Sequence, residues 1–254
     1  MKIQCYMPVY NEADVLPYTL AHLIHQGVNV HVIDGWSTDK SFVLAQAASM
    51  AADVSVTVER FPASGPDPIQ NCRAILHRIE DLAAASDADW ILYSDADEWR
   101  RSSRMTETLA QGIARVDAQG YNAIDFRVFA FFCTDGAWRG DPEKYFRWYN
   151  ETDIICRIPN RKLWKNVGAV SLAGGGHEVR FPGMRVCPQR WTMKHYPFRT
   201  PMQAREKLKT RLARRCKEEH AAGWGVHYDE AFPPGLLWNP RDLKGWADVS
   251  TALP

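Results

Sequence analysis

The stretch Asp89-Trp90-Ile91-Leu92-Tyr93-Ser94-Asp95-Ala96-Asp97-Glu98-Trp99 joins a short apolar run to two carboxylates at positions i and i+2. If the chain is extended here, Asp95 and Asp97 share one face, because successive side chains of a strand point to opposite sides. Two hard oxygen donors side by side suit Mg²⁺ or Mn²⁺, which bind through one or two carboxylates plus substrate phosphate oxygens. The pattern therefore predicts a metal site at a strand end. The simpler interpretation is a solvated acidic turn.

Before this stretch, predicted strands and helices alternate along the chain. Strands are expected over 2–9, 28–33 and 54–58, and helices over 14–26, 39–52 and the segment that precedes the apolar run. Such alternation predicts a parallel, right-handed βαβ sheet, in which ligands bind beyond the carboxyl ends of the strands. Glu12 follows the first strand, Asp34 the second, and Asp95 and Asp97 the fourth. The predicted topology brings these carboxylates to one rim.

After Glu98 the pattern changes. We predict a surface helix over 105–119, an aromatic strand over 121–132, irregular structure over 133–197 and a basic helix over 200–220. The helix has acidic residues interspersed, which favours a solvated face over a surface that binds anionic lipid or nucleic acid. We divide the chain into a ligand-binding βαβ half (1–100), a second region of the same domain (101–199) and a C-terminal basic helix with an extended tail (200–254).

The composition excludes several classes of protein. The 254 residues are 46% hydrophobic and 24% charged, and the formal net charge of +1 gives no reason to expect a nucleic-acid partner. No apolar run approaches the ~20 residues that span a bilayer, and the N-terminus lacks the apolar core of a signal peptide. The six cysteines are scattered singly, which argues against a zinc ribbon or a disulfide scaffold and favours the cytoplasm.

Three ordered motifs within the first ~100 residues resemble family 2 glycosyltransferases of the GT-A fold. They are Met7-Pro8-Val9-Tyr10-Asn11-Glu12, Val32-Ile33-Asp34-Gly35-Trp36-Ser37-Thr38-Asp39-Lys40-Ser41 and Ser94-Asp95-Ala96-Asp97-Glu98. The resemblance implies an α/β/α sandwich with a mostly parallel central sheet and an irregular C-terminal acceptor region. It also implies a nucleoside-diphosphate sugar donor, Mn²⁺ or Mg²⁺ on the Asp-x-Asp motif, and inversion at the anomeric carbon.

The resemblance also assigns roles to particular residues. Those that would bind the nucleotide sugar are Pro8, Tyr10, Glu12, Asp34, Ser37, Arg73 and Asp95. Asp97 would be the main metal ligand, with Asp95 beside it, and Asp34 would hydrogen-bond the base. His195, in a segment similar to one in bacterial members of the family, would approach the metal or the diphosphate, with Lys194 or Arg199 adding charge there.

The sequence departs from the family pattern in two ways. Trp36 stands where the family commonly has a small residue, and the Glu-Asp pair that usually supplies the catalytic base is missing. Glu178 or Asp135 could take that role, since a positioned carboxylate can remove the proton from an acceptor hydroxyl. His177, beside Glu178, could equally be a structural histidine.

The resulting hypothesis is a metal-dependent glycosyltransferase that moves a sugar from a nucleoside-diphosphate sugar, with UDP favoured, to a saccharide or lipid-linked acceptor. We expect it in the cytoplasm, with peripheral contact at the inner face of the membrane as a further option. The alternatives are a nucleotide-sugar-binding protein, a nucleotidyltransferase, and a non-catalytic binder of anionic surfaces. A nucleotidyltransferase should carry a Gly-rich, Arg-containing loop after the first strand, where this chain has Tyr10-Asn11-Glu12.

Overall fold

The computed structural model of the chain describes residues 1–51, 56–151, 156, 158–229 and 232–246. The helices of this part are α1 (Leu16–His25), α2 (Ser41–Met50), α3 (Cys72–Ala84), α4 (Leu109–Ala118), α5 (Pro142–Tyr145), α6 (Pro201–Ala213) and α7 (Lys217–Ala221). Its strands are β1 (Ile3–Val9), β2 (Asn29–Asp34), β3 (Val56–Arg60), β4 (Trp90–Tyr93), β5 (Glu98–Arg101), β6 (Ala123–Ile124), β7 (Phe126–Phe132), β8 (Trp148–Asn150), β9 (Leu163–Lys165), β10 (Ser171–Ala173), β11 (Glu178–Arg180), β12 (Trp191–Phe198) and β13 (Lys244–Gly245).

The first sheet has the strand order β3-β2-β1-β4-β9-β6. The four strands from the N-terminal half are parallel, and β9 and β6 extend the sheet in antiparallel fashion. Helices α1, α2 and α4 bury apolar side chains such as Leu20 and Ile113 against one face, and α3 buries Leu76 and Ile79 against the other. This is the predicted α/β/α sandwich with a mostly parallel sheet.

A second sheet has the order β13-β8-β7-β12-β5. Its core is aromatic, with Phe126, Phe129, Phe131, Trp191 and Tyr196 buried along β7 and β12. β4 ends in the first sheet and β5 begins in the second, so the short segment 94–97 joins the two sheets. The Asp-x-Asp motif lies in this connection.

Several local expectations differ from the structure. The strand expected over 121–132 is two strands in different sheets, and the segment expected to be irregular contains the eight-residue strand β12. The basic helix ends at Ala213, where α7 follows after a short break. The expected start of the third strand, 54–55, lies outside the described residues. In the part of the chain that the structure describes, no helix combines the length and apolarity that a bilayer crossing requires.

Candidate functional site

A cleft of about 980 Å³ opens beyond the carboxyl ends of β1, β2 and β4. One wall comes from the N-terminal half and includes Pro8, Tyr10, Glu12, Asp95 and Asp97. The opposite wall comes from later segments and includes His177, His195, Lys207, Arg211 and Arg214. The position agrees with the rule that ligands of open α/β sheets bind beyond the carboxyl ends of parallel strands.

The Asp-x-Asp motif is a tight turn, so the extended geometry expected from the sequence is wrong. The backbone N–H of Glu98 donates to the carbonyl of Asp95 at 3.2 Å, and the Thr19 hydroxyl donates to the carbonyl of Ala96. The turn forms because the chain must pass from the first sheet into the second within four residues. Asp95 and Asp97 both reach the cleft, but each carboxylate has its own set of cationic partners.

Asp97 is buried and surrounded by cations. Its Oδ2 lies 2.7 Å from Lys207 Nζ and 3.8 Å from an Arg199 guanidinium nitrogen, and its Oδ1 lies 3.6 Å from His195 Nε2. Burial alone would raise the pKa of Asp97, but Lys207, His195 and Arg199 outweigh it and hold this pKa well below its ordinary value. Asp97 is therefore ionised, and the neighbouring cations compensate its charge.

His195 lies beside Asp97, as its assignment to the metal or diphosphate region requires. It stands on β12 directly opposite Glu98 of β5, and this pairing carries the imidazole to the turn. Burial opposes a charged ring, yet the facing carboxylate of Asp97 raises the pKa of His195 above its usual value. Of the two cations expected near it, Arg199 lies there, whereas Lys194 Nζ pairs with Glu143 at 2.6 Å.

Asp95 is fixed from below by a buried charge network that the sequence analysis missed. Lys162 Nζ lies 2.9 Å from both Asp95 Oδ2 and Glu98 Oε1, and Glu98 also pairs with Arg100 at 2.6 Å. Burial alone would raise the pKa of Glu98, but Lys162 and Arg100 hold it far below its ordinary range. No motif marks Lys162, because it enters the site only through the antiparallel pairing of β9 with β4.

Glu12 ends the first motif, and it too is paired. It accepts a hydrogen bond from Arg199 and lies 3.0 Å from Lys207 Nζ, while Arg199 also bonds Asp14. Arg199 has no exposed side-chain surface, so it acts as a fixed internal cation that links the first motif to Asp97.

One face of α6 supplies the cations of the second wall. Lys207, Arg211 and Arg214 follow each other at helical spacing and line the cleft. The Arg214 guanidinium stacks 3.9 Å from the centre of the Tyr10 ring and donates to the carbonyl of Asp67 at 3.0 Å. In the described part of the chain Arg211 has no carboxylate at ion-pair distance. The prediction of a solvated basic face was thus wrong for these residues, although Arg205 and other α6 side chains are exposed.

Asp34 is fully buried at the end of β2, between Ile33 and Gly35, which line the cleft. Its Oδ2 accepts a hydrogen bond from Ser37 N at 3.1 Å, and its Oδ1 has no partner among the described atoms. Burial raises the pKa of Asp34 against the effect of the Ser37 hydrogen bonds. Asp34 thus offers one unsatisfied acceptor next to the cleft, while Ser37 positions its carboxylate.

Trp36, the departure from the family pattern, closes the outer side of Asp34. Its backbone is left-handed, with φ of 63°, and its indole N–H donates to the carbonyl of Pro62 at 2.8 Å. The Arg60 guanidinium lies 4.5 Å from the Trp36 ring centre and 3.7 Å from the Asp34 carboxylate. Arg60 thus links the large side chain at this position to the buried carboxylate.

Five predicted site residues do not line the cleft: Asp34 and Ser37, described above, and Arg73, Glu178 and Asp135. Arg73 lies 5.5 Å from the Trp224 ring, and its backbone N–H donates to Glu219 at 2.7 Å. Glu178 pairs with Arg180 at 2.9 Å and with Arg161 at 3.5 Å. Asp135 accepts hydrogen bonds from the Tyr145 hydroxyl and from its own turn. Proton transfer by Glu178 or Asp135 therefore stays a prediction without geometric support.

The donor chemistry of Asp95, Asp97 and His195 suits Mn²⁺ or Mg²⁺, but their arrangement sets a condition on metal binding. Within residues 1–51, 56–151, 156, 158–229 and 232–246, no three His, Cys, Asp or Glu side chains are grouped to hold an ion. The ammonium group of Lys207 donates a hydrogen bond to the Asp97 carboxylate, and that of Lys162 donates one to the Asp95 carboxylate. A metal ion at Asp97 would compete with Lys207 for that carboxylate.

Solved structures similar to this chain have low sequence identity to it. "Mannosyltransferase PcManGT from Pyrobaculum calidifontis in complex with GDP-Man and Mn2+" is 14% identical with a TM-score of 0.50, and the match covers 92% of this chain and 66% of that one. S. aureus TarS is 14% identical with a TM-score of 0.46, over 84% of this chain and 39% of that one. The chain thus spans well under half of that TarS structure. These likenesses concern the fold.

The search of curated proteins found no match. The sequence profile of glycosyl transferase family 2 matches residues 5–168, which include all three motifs and more than half of the chain. The chain therefore belongs to glycosyl transferase family 2.

Proposed function

We infer that this protein is a glycosyltransferase that uses a nucleoside-diphosphate sugar as its donor. The observation that carries the proposal is the cleft itself, in which the Asp-x-Asp turn and the cationic face of α6 meet at the carboxyl ends of the sheet. A nucleoside diphosphate carries an apolar base, a polar ribose and two phosphates. The cleft offers a matching series of an aromatic side chain, carboxylates and guanidinium groups.

The phosphates would lie against Arg211, with Lys207 and Arg214 beside it. Guanidinium groups bind phosphate oxygens in a bidentate manner, and a cation near the leaving diphosphate stabilises the charge that develops in the transition state. Arg211 supports this assignment because its half-buried side chain lines the cleft and, among the described residues, no carboxylate lies at ion-pair distance from it.

The base would lie near Tyr10 and the carboxyl end of β2. The unsatisfied Oδ1 of Asp34 can accept a hydrogen bond from a ring N–H, which both uracil and guanine offer. We favour UDP as the donor nucleotide. Arg214 now stacks on Tyr10, so a base that stacks on the same ring would have to displace it.

A divalent ion on Asp97, with Asp95 and His195 close by, remains part of the proposal. When bound, such an ion would add charge neutralisation to the leaving diphosphate. The chain's own part is to present Asp97 as an anion and to release Lys207 from it. Lys207 has a second partner in Glu12 at 3.0 Å, which could keep its charge balanced after this exchange.

The acceptor would occupy the remaining part of the cleft, where Phe132, Phe198, Phe232 and Trp238 form an aromatic wall. Such a wall suits the apolar face of a saccharide or the lipid of a lipid-linked acceptor. Attack by the acceptor hydroxyl from the side opposite the diphosphate would invert the anomeric carbon. A cytoplasmic enzyme at the membrane surface stays a prediction.

A thermal-shift screen tests the donor assignment. The wild-type protein is heated with UDP-, GDP- and dTDP-sugars, each with Mn²⁺ and with EDTA. A ligand at 100-fold its Kd stabilises the protein by about 2.7 kcal/mol, which is readily measured. Asp34→Ala should weaken binding of the selected nucleotide by about 1.5 to 3 kcal/mol in calorimetry. Binding without release of the nucleoside diphosphate would favour a nucleotide-sugar-binding protein instead.

A further inference from the structure

Transfer by direct displacement needs a group in the cleft that takes the proton of the attacking hydroxyl. Three of the carboxylates that line the cleft form ion pairs with lysine side chains. Glu12 and Asp97 lie 3.0 and 2.7 Å from Lys207 Nζ, and Asp95 lies 2.9 Å from Lys162 Nζ. A carboxylate whose oxygens already accept hydrogen bonds from an ammonium group is less available to an acceptor hydroxyl.

Two further cleft residues are also unsuited. The Asp67 carboxylate accepts a hydrogen bond from Ile69 N within its own turn. His195 faces Asp97 at 3.6 Å, which favours the protonated ring. Among the described carboxylate and imidazole side chains that line the cleft, His177 and Asp67 have no oppositely charged group at ion-pair distance. Asp67 lies beside Arg214, on the side of the cleft assigned above to the nucleotide, so His177 is the remaining candidate.

His177 is rigidly placed by the hairpin of β10 and β11. It follows a 3₁₀ turn of Gly174–Gly176, and its carbonyl accepts a hydrogen bond from Arg161 N at 2.8 Å. Gly176 has a φ of 90°, and a Cβ at this position would lie 2.4 Å from a ring carbon of Tyr93. The turn therefore sits directly on Tyr93, two residues before Asp95, which fixes His177 relative to the Asp-x-Asp turn.

The surroundings of the ring keep it neutral. The side-chain amide of Asn160 lies 3.5 Å from Nδ1, and both residues are largely shielded from solvent. Burial, and after it the charge of Lys162, lowers the pKa of His177 to about 4, against the opposing charges of Glu98 and Asp95. A ring with this pKa is neutral and can accept a proton, but it is a weak base until a negative charge nearby raises the pKa. The negative charge of a bound diphosphate would make it a stronger base.

We propose that His177 is the catalytic base of the transfer reaction, which takes its proton from the acceptor hydroxyl at the cleft. The acceptor oxygen forms a bond to the anomeric carbon while the bond from that carbon to the phosphate oxygen breaks. The electron pair leaves with the nucleoside diphosphate, and the proton ends on the imidazole, which later returns it to solvent. The assignment rests on the proposed function and names the residue that replaces the missing Glu-Asp pair.

The neighbouring Glu178 provides the contrast. It begins β11, and its carboxylate bonds Arg180 and Arg161 outside the cleft. The two adjacent side chains therefore have different surroundings, and only the imidazole lines the cleft.

The test uses UDP-glucose with water as the acceptor, so that no natural acceptor has to be known. UDP release is measured for the wild type, for His177→Ala and for His177→Gln, each with and without added imidazole. We expect both variants to lose UDP release by roughly 100-fold or more, and imidazole to restore part of the rate in His177→Ala. UDP affinity in calorimetry should stay within about twofold, because the base does not hold the nucleotide. His77→Ala, on the exposed side of α3, is the matched control.

The possible results separate the two proposals. Wild-type rates in both His177 variants, or loss of UDP release in Glu178→Gln instead, would overturn the assignment of His177. If the wild type neither binds UDP nor releases it, and GDP-mannose and dTDP-glucose behave alike, the proposed function itself falls and takes this assignment with it. Melting temperatures of all variants identify any loss that comes from misfolding, and His177→Gln retains a polar side chain for that case.

Discussion

The two walls of the cleft have opposite charge and opposite origins in the chain. The wall from the N-terminal half carries Glu12, Asp95 and Asp97, which follow the neighbouring strands β1 and β4. The facing cations come from segments that lie far away in sequence. Lys162 is 67 residues from Asp95, Lys207 is 110 residues from Asp97, and Arg199 is 187 residues from Glu12.

Local motifs are therefore enough to place the carboxylates, whereas the cations are placed by the packing of segments that are distant in sequence. The carboxylates would reach the rim of almost any parallel sheet with this order of strands. The cations reach it only when β9, β12 and α6 have packed. The acidic wall defines where a ligand binds, and the basic wall determines the charge that the ligand meets. Four substitutions probe these two contributions separately.

The largest effect should follow from removing the central anion of the acidic wall. Asp97→Asn keeps the shape of the side chain and removes its charge, which leaves Lys207 and Arg199 with one partner fewer. We expect UDP release from UDP-glucose to fall about 10³-fold, a typical cost of losing a group that acts on the transition state.

Asp81→Asn, on the exposed side of α3, should leave UDP release unchanged and serves as the control. An active Asp97→Asn enzyme that also tolerates EDTA would remove Asp97 from the site. Because Asp97 is buried among cations, its substitution should also lower the melting temperature.

The next largest effect concerns stability and the cation beneath the acidic wall. Lys162 has 1% of its side chain exposed, and Lys162→Met would leave the buried Glu98 with Arg100 alone. We expect the free energy of unfolding to fall by about 3 kcal/mol in urea titrations, as for other broken buried ion pairs.

Lys165→Met is the matched control on the same strand. Lys165 pairs with Asp117 near the surface, so its loss should cost less than about 1 kcal/mol. Equal costs for the two variants would contradict a structural role for the Lys162 network.

A third substitution tests whether the basic wall binds the diphosphate of the donor. Arg211→Gln removes the guanidinium group that has no carboxylate partner in the described chain, so it should weaken UDP binding by about 1.5 to 3 kcal/mol. Calorimetry should compare Arg211→Gln with Arg205→Gln, on the exposed face of α6. Both variants lose one positive charge, so a difference in UDP affinity between them comes from the position of Arg211. Unchanged UDP affinity would place the diphosphate elsewhere.

The smallest effect should have the opposite sign. Lys207→Met removes the ammonium group that now occupies Asp97, so Mn²⁺ should bind about tenfold more tightly, a change of ~1.4 kcal/mol. The free Mn²⁺ signal in electron paramagnetic resonance measures this directly, with Lys209→Met as the exposed control. Weaker Mn²⁺ binding in Lys207→Met would show that Lys207 supports the ion rather than excludes it.

The sequence predicted the acidic wall better than the basic wall, for a physical reason. Strand periodicity and strand ends are local properties, so the order β1 to β4 and the positions of Asp34 and Asp97 could be predicted from short segments. His195 could be placed near Asp97 only through its resemblance to a family segment. The pairing of β12 with β5, which places it there, joins residues nearly a hundred positions apart.

Other features could not be predicted because they depend on neighbours that no short pattern specifies. Lys162 lacks a motif, and the direction of Arg211 on α6 depends on which face of that helix packs. The basic helix has a weak apolar pattern, since Ala204 is its fully buried residue. The turn geometry of Asp95 and Asp97 likewise follows from the passage between two sheets, which the local sequence does not reveal.

The connection between those sheets also fixes the length of the chain at this point. Along β5, Glu98 and Arg100 point toward the Lys162 network, while Trp99 stacks on His22 at 4.5 Å on the other side. Inserting or deleting one residue between β4 and β5 would shift this register and exchange the two faces. An indole would then occupy the place of a buried carboxylate, and a glutamate that of a stacked ring. A substitution within 94–97 alters one side chain, whereas a change in the number of its residues would displace both faces of β5 at once.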